Sequence, residues 1–134
     1  MTILKVNNAG RWLDKANDDL RWAAASLKET VLHGVCFASQ QAAEKALKAF
    51  LLHSGKQLRK IHDLSALLEE CIEIDNDFQQ LIDQAATLSG YYVESRYPDI
   101  GDFMGYTRDQ SQEAFQFAKD VVAFVTEKLA TSGA

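Results

Sequence analysis

Residues 90–103 read GYYVESRYPDIGDF and gather side chains suited to phosphate chemistry. Arg96 stands among Tyr91, Tyr92 and Tyr97, with Asp99 and Asp102 following the chain's one proline, Pro98. A guanidinium offers a planar fork of donors that matches phosphate and stacks on aromatic faces. Such a group beside loop carboxylates fits a nucleotide or phosphate contact. The structural alternative is that Arg96 only complements the negative end of a helix. A second set lies in RKIHDL, residues 59–64, where Arg59, Lys60 and His62 precede a helix start. Free backbone N–H groups there favour an anion. The alternative is a histidine that hydrogen-bonds at a helix entrance.

A third set lies in QQAAEKALKAFL. In helical projection Gln40, Gln41, Glu44, Lys45 and Lys48 share one arc of roughly 140°. As a solvated face, this arc would carry a Glu44–Lys48 i,i+4 pair of small energy. As a binding face, Lys45 and Lys48 would approach a phosphate while Gln41 bonds a base or sugar.

The elements that must position these groups are helical almost throughout. Trp12, Ala16, Leu20, Ala23 and Leu27 predict a first helix over residues 10–29. A second is expected over residues 35–53, stopped by Ser54-Gly55. A third, shorter helix is capped by Asp63 and turns Leu64, Leu67, Leu68 and Cys71 inward. A fourth starts with Asp77 as cap and Gln80 as its partner. Its expected inward face is Phe78, Leu81, Ile82, Ala85, Leu88 and Tyr92. Pro98 ends it near Arg96. Thr107 and Gln110 have capping-box spacing for a fifth helix. Short connections imply antiparallel neighbours. The expected fold is all-α: an up-and-down helical bundle of four long helices plus one shorter helix, forming one domain over residues 1–134.

The chain has 134 residues, 47% of them hydrophobic, with a net charge of −5, values that fit a single globular core. An acidic chain is a poor general binder of nucleic-acid backbone, although a local basic patch is compatible with it. Cys36 and Cys71 read as buried apolar residues of a reducing compartment. No run suits a membrane helix or a signal peptide, so a cytoplasmic protein is expected. The histidines and acids lack ligand spacing, so neither metal nor cofactor is expected. The apolar circumference of the fifth helix, with Phe115, Phe117, Val122 and Phe124, predicts either a central helix or one shared with a second copy.

Taken in order and at these distances, QQAAEKALKAFLLHSGK, IHDLSALL and YYVESRYPD resemble the HEPN family (higher eukaryotes and prokaryotes nucleotide-binding). The likeness extends over nearly the whole chain, and it is closest to the small stand-alone prokaryotic members. It implies a helical bundle that forms a homodimer. It also implies a minimal nucleotidyltransferase as partner, in a toxin–antitoxin or nucleotide-handling pair. The family's ribonucleases place a histidine after an arginine with four to six residues between them, to activate a ribose 2′-OH beside a charge-stabilising guanidinium. After Arg96 that window holds Gly101, Asp102 and Phe103, and the histidines are His33, His53 and His62. The expectation is therefore a nucleotide- or partner-binding module contacting phosphate through Arg96, Lys45 and Lys48, with Gln41, His62 and Asp99 as further polar contacts. Its alternatives are a diverged metal-independent ribonuclease toxin pairing Arg96 with His62 or Asp102, and a structural adaptor without ligand. Tyr106 corresponds loosely to a tyrosine that the partner enzyme nucleotidylates in some members.

Overall fold

A computed structural model describes the backbone of residues 2–58, 60–96 and 105–132, and the side chains of residues 8–58, 60–91 and 105–131. It is all-α. The helices are α1 (Thr2–Lys28), α2 (Leu32–His53), α3 (Leu64–Ile74), a 3-10 helix (Asn76–Leu81), α4 (Ile82–Arg96) and α5 (Arg108–Ser132). Among the described residues, no helix is long and apolar enough to cross a membrane.

The centre of the bundle is α2, not α5. Ala38, Ala42, Ala43, Ala46 and Ala49 have no exposed surface, and small side chains let neighbours approach α2 on every side. It meets α1, α3, α4 and α5. The apolar residues of α5 beyond its main stripe find partners within the chain. Phe115 packs on the Ala23–Val35–Ala38 cluster, and Phe124 meets Phe78 edge-on at 4.9 Å. Phe78 is fully buried and also lies 4.4 Å from Phe50.

The α1–α2 connection is tighter than expected, because α1 runs to Lys28 and α2 already begins at Leu32. Thr30 takes a positive φ of 61° and Val31 N–H donates to the Ser26 carbonyl at 2.8 Å. A side chain at Gly34 would lie 3.2 Å from Val31 Cγ1 and 3.3 Å from Ser26 Oγ, so glycine permits this close return. At the other end of α2, Gly55 adopts φ 89° and forms the stop read from Ser54-Gly55.

Three caps place the remaining helices. Asp63 accepts from Ser65 N–H at 3.0 Å and starts α3. Thr107 and Gln110 form the reciprocal capping box of α5, at 2.9 and 3.0 Å. At the fourth segment the cap is Asp75, which accepts from Asp77 N–H at 3.0 Å; Asp77 lies inside the first turn. That turn is 3-10, with a period of three residues, so Phe78 and Leu81 align inward and Ile82 rotates out to 49% exposure. The buried residue five positions before Arg96 is Tyr91, whose ring meets Tyr106 edge-on at 5.0 Å. The expected inward Tyr92 lies outside the described side chains.

Candidate functional site

The polar arc of α2 is internal rather than solvated. On one flank α1 lies across it: Asp19 accepts from Lys45 Nζ at 2.6 Å, and Lys48 Nζ lies 5.7 Å from the Trp12 ring centroid. On the other flank runs the α2–α3 connection. A single-helix projection shows which residues share an arc, but not that two other segments cover it.

Glu44 is the hub. Its carboxylate is 5% exposed, and Oε2 accepts from Lys48 Nζ at 3.0 Å, the lysine side chain being 7% exposed. His62 Nδ1 lies 3.1 Å from Oε1 and 3.2 Å from Oε2. Gln40, fully buried, donates Nε2–H to Glu44 Oε1 at 3.4 Å and to the His62 carbonyl at 3.2 Å. Gln41 then donates to Gln40 Oε1 at 2.6 Å. Two buried opposite charges are tolerable only when paired and hydrogen-bonded, which is the arrangement here. The network ties α2 to the segment leading into α3, at the backbone and at the ring of His62.

These positions revise the reading of the lysines. Lys48 is enclosed and neutralised by Glu44, and its ammonium faces inward toward the carboxylate. Lys45 is about a quarter exposed and bridged to Asp19. Gln41 is partly buried and bonded within the arc. His62 stays 47% exposed, so of this group it is the one that combines an oriented polar ring with solvent access. The tautomer that donates Nδ1–H to Glu44 leaves the basic lone pair on Nε2, as in a carboxylate-oriented general base.

The His62 corner is fastened to α4. Ser89 Oγ donates to Asp63 Oδ1 at 3.0 Å and accepts from Leu64 N–H at 3.0 Å. Arg96, the last residue of α4, follows seven residues later, about two turns or roughly 10 Å along the axis. The Arg96 side chain, Arg59, Tyr97, Asp99 and Asp102 lie outside the described residues. Tyr106, 9% exposed and packed on Tyr91, is a ring of the core. Sequence reasoning missed Glu44 as the carboxylate that orients His62. The available signal was an acid and two lysines on an alanine-rich helix that had to be buried on several sides.

Away from this corner, one ion-pair cluster joins two helix ends. Lys128 bridges Asp75 at 2.8 Å and Asp77 at 2.6 Å, tying the end of α5 to the 3-10 turn. The hydrogen bond from Lys128 holds the Asp75 carboxyl below its ordinary range, and those that Lys128 donates to Asp75 and Asp77 raise the lysine. Burial, with a smaller contribution from Glu70, pushes the Cys71 thiol up to about 12.

A model of the HEPN domain family matches residues 9–129. A Methanocaldococcus jannaschii protein named "Putative toxin" is 26% identical over 137 residues, spanning 92% of this chain and 90% of its own. Among solved structures, a Thermus thermophilus protein superposes with a TM-score of 0.80 at 38% identity, covering 92% of this chain and 99% of that one. An archaeal HEPN homologue gives 0.75 at 29% identity, covering 91% and 98%. A HEPN domain protein of Thermotoga maritima gives 0.72 at 26% identity, covering 90% and 98%.

Proposed function

The chain belongs to the HEPN domain family, and on that premise we propose that it is a toxin-type module handling a nucleotide or RNA phosphate. The phosphate docks at the corner where the α2–α3 connection meets the second half of α4. Arg96 supplies the charge and His62 and Asp99 the further polar contacts, while Lys45 and Lys48 remain paired with Asp19 and Glu44. The module works as a homodimer and associates with a minimal nucleotidyltransferase. The observation that carries this reading is the half-exposed His62, held by buried Glu44 on a segment fastened to α4 at Ser89. The relative named "Putative toxin" supports the class of role. Trp22 and Val31, each more than half exposed, offer apolar surface for a second copy.

A ribonuclease reading is favoured by one feature, the Glu44–His62 hydrogen bond. A carboxylate that fixes the imidazole tautomer is the usual support of a general base. Against it stands the absence of a histidine at positions 101–103, the window four to six intervening residues beyond Arg96.

Both readings are tested by incubating the protein with single-stranded RNA without added metal, beside Arg96→Ala and His62→Ala variants of confirmed fold. A binding module leaves the RNA intact and loses nucleotide or RNA affinity in Arg96→Ala. Cleavage abolished by both variants makes it a ribonuclease with His62 as base, and cleavage lost in Arg96→Ala but kept in His62→Ala makes it one with another base, such as Asp102. Intact RNA together with unchanged binding in Arg96→Ala refutes both.

A further inference from the structure

The chain is acidic overall, yet its basic residues are not evenly spread. From Lys45 to His62 there are five lysines and arginines and no acid. Lys45 and Lys48 are paired with Asp19 and Glu44, whereas Lys56 and Lys60 are exposed on the α2–α3 connection. Next to them lies a cleft of about 630 Å³ between the N-terminal half of α1 and that connection. Its walls are Asn8, Trp12 and Leu52, with Gly55, Lys56 and Gln57 along the connection. Arg11 and Lys15, both exposed, flank Trp12 on α1.

We propose that this cleft is a nucleobase-stacking subsite for single-stranded RNA, with half-buried Trp12 as the platform and Lys56 and Lys60 on the phosphates. The inference deepens the phosphate-binding reading and rests on it. An indole in a positively charged groove is the arrangement that holds single strands, because every base has a π face and neutralising phosphates releases counterions. The amides of Asn8 and Gln57 suit base edges, which an acyl chain could not use. A chain of side-chain contacts also links the cleft's Trp12 to the His62 corner. Lys48 lies 5.7 Å from the Trp12 ring centroid and 3.0 Å from Glu44, whose other oxygen is 3.1 Å from His62. Trp12 and His62 are thus joined through the buried Lys48–Glu44 pair.

The chain has two tryptophans, so a Trp22→Phe variant leaves Trp12 as the sole reporter. It would be titrated with a 2′-O-methylated single-stranded oligonucleotide, which cannot be cleaved through its 2′-OH. Saturable quenching is expected, with affinity reduced about tenfold or more in Trp12→Ala followed by anisotropy. A Lys56→Glu/Lys60→Glu double variant should weaken binding and flatten its salt dependence. Binding by anisotropy with silent Trp12 fluorescence and no effect of Trp12→Ala overturns the subsite and leaves the Arg96 corner standing. Absence of any binding overturns both. Quenching by phosphatidylserine vesicles but not by the oligonucleotide assigns the cleft to a membrane surface and also overturns the proposal.

Discussion

Glu44→Ala is the perturbation whose cost can be reasoned most directly. It removes the carboxylate from a site that is 5% exposed and leaves the Lys48 ammonium, 7% exposed, without its partner. An uncompensated buried charge of this kind costs about 3–5 kcal/mol. That is a large share of the roughly 5–15 kcal/mol that holds a small domain together. Replacing both ions by apolar residues of similar size, Glu44→Leu with Lys48→Met, removes the charge along with its partner. Such exchanges are neutral or stabilising by about 1–4 kcal/mol. The double variant keeps most of the remaining hydrogen bonding, since Gln40 still donates to the His62 carbonyl and the imidazole reaches solvent. Urea denaturation followed by circular dichroism at neutral pH, for the wild type, Glu44→Leu, Lys48→Met and the double variant, closes the cycle, with Glu44→Ala measured beside them. The expected result is a severe loss in Glu44→Ala and recovery in the double variant, with a coupling of about 2–4 kcal/mol. A loss below about 1 kcal/mol in Glu44→Ala would refute the reasoning, because that is the value of a solvated surface pair.

The Asp75–Lys128 bridge makes a prediction about pH. The Asp75 pKa is lowered in the folded chain, so its contribution is present above the unfolded carboxylate range and is lost as pH falls through the folded value. The Lys128 pKa is raised, so its contribution is present below the unfolded lysine value and is lost as pH rises through the folded one. A Lys128→Met variant should therefore melt below the wild type at neutral pH and approach it in strong acid, as thermal scans across pH would show. For Cys71, a thiol raised to about 12 by burial holds almost no thiolate at pH 8. Iodoacetamide should leave Cys71 unmodified in the native protein and alkylate it in denaturant, read by peptide mass spectrometry.

Local signals were the legible ones. The Thr107–Gln110 box, the Asp63 cap and the Gly55 stop each depend on residues within one turn, and each appears with the expected partners. The Asp75 cap was displaced by two residues because consecutive acids at 75 and 77 both satisfy a cap pattern. Only the 3-10 turn, which the periodicity of six residues does not distinguish from an α-helix, decides between them and sends Ile82 outward. The apolar breadth of α5 was legible but not its cause. It reflects contact with α1, α2 and α4 at once, so it carries no independent weight for a second copy. The arc of α2 was likewise located by its residues, while its burial depends on α1 and on residues 60–63, distant in sequence.

That burial alters what the polar residues can be for. A bundle of this size gains little stability from an internal ion pair that apolar residues could replace. What the pair does supply is orientation. Lys48 fixes one Glu44 oxygen from below, Gln40 supports the carboxylate and the His62 carbonyl together, and the imidazole is left a narrow choice of positions. The ring is thus held by the core while its other edge belongs to the surface. The sharp consequence concerns Glu44→Gln. An amide can still accept one hydrogen bond, but it removes the negative charge facing both Lys48 and His62. If the network serves only packing, Glu44→Gln should change stability and leave nucleotide or RNA affinity alone once the fold is confirmed. If it orients a working imidazole, affinity should fall in Glu44→Gln and in His62→Ala to a similar extent, and the two changes together should weaken binding no further than His62→Ala does alone.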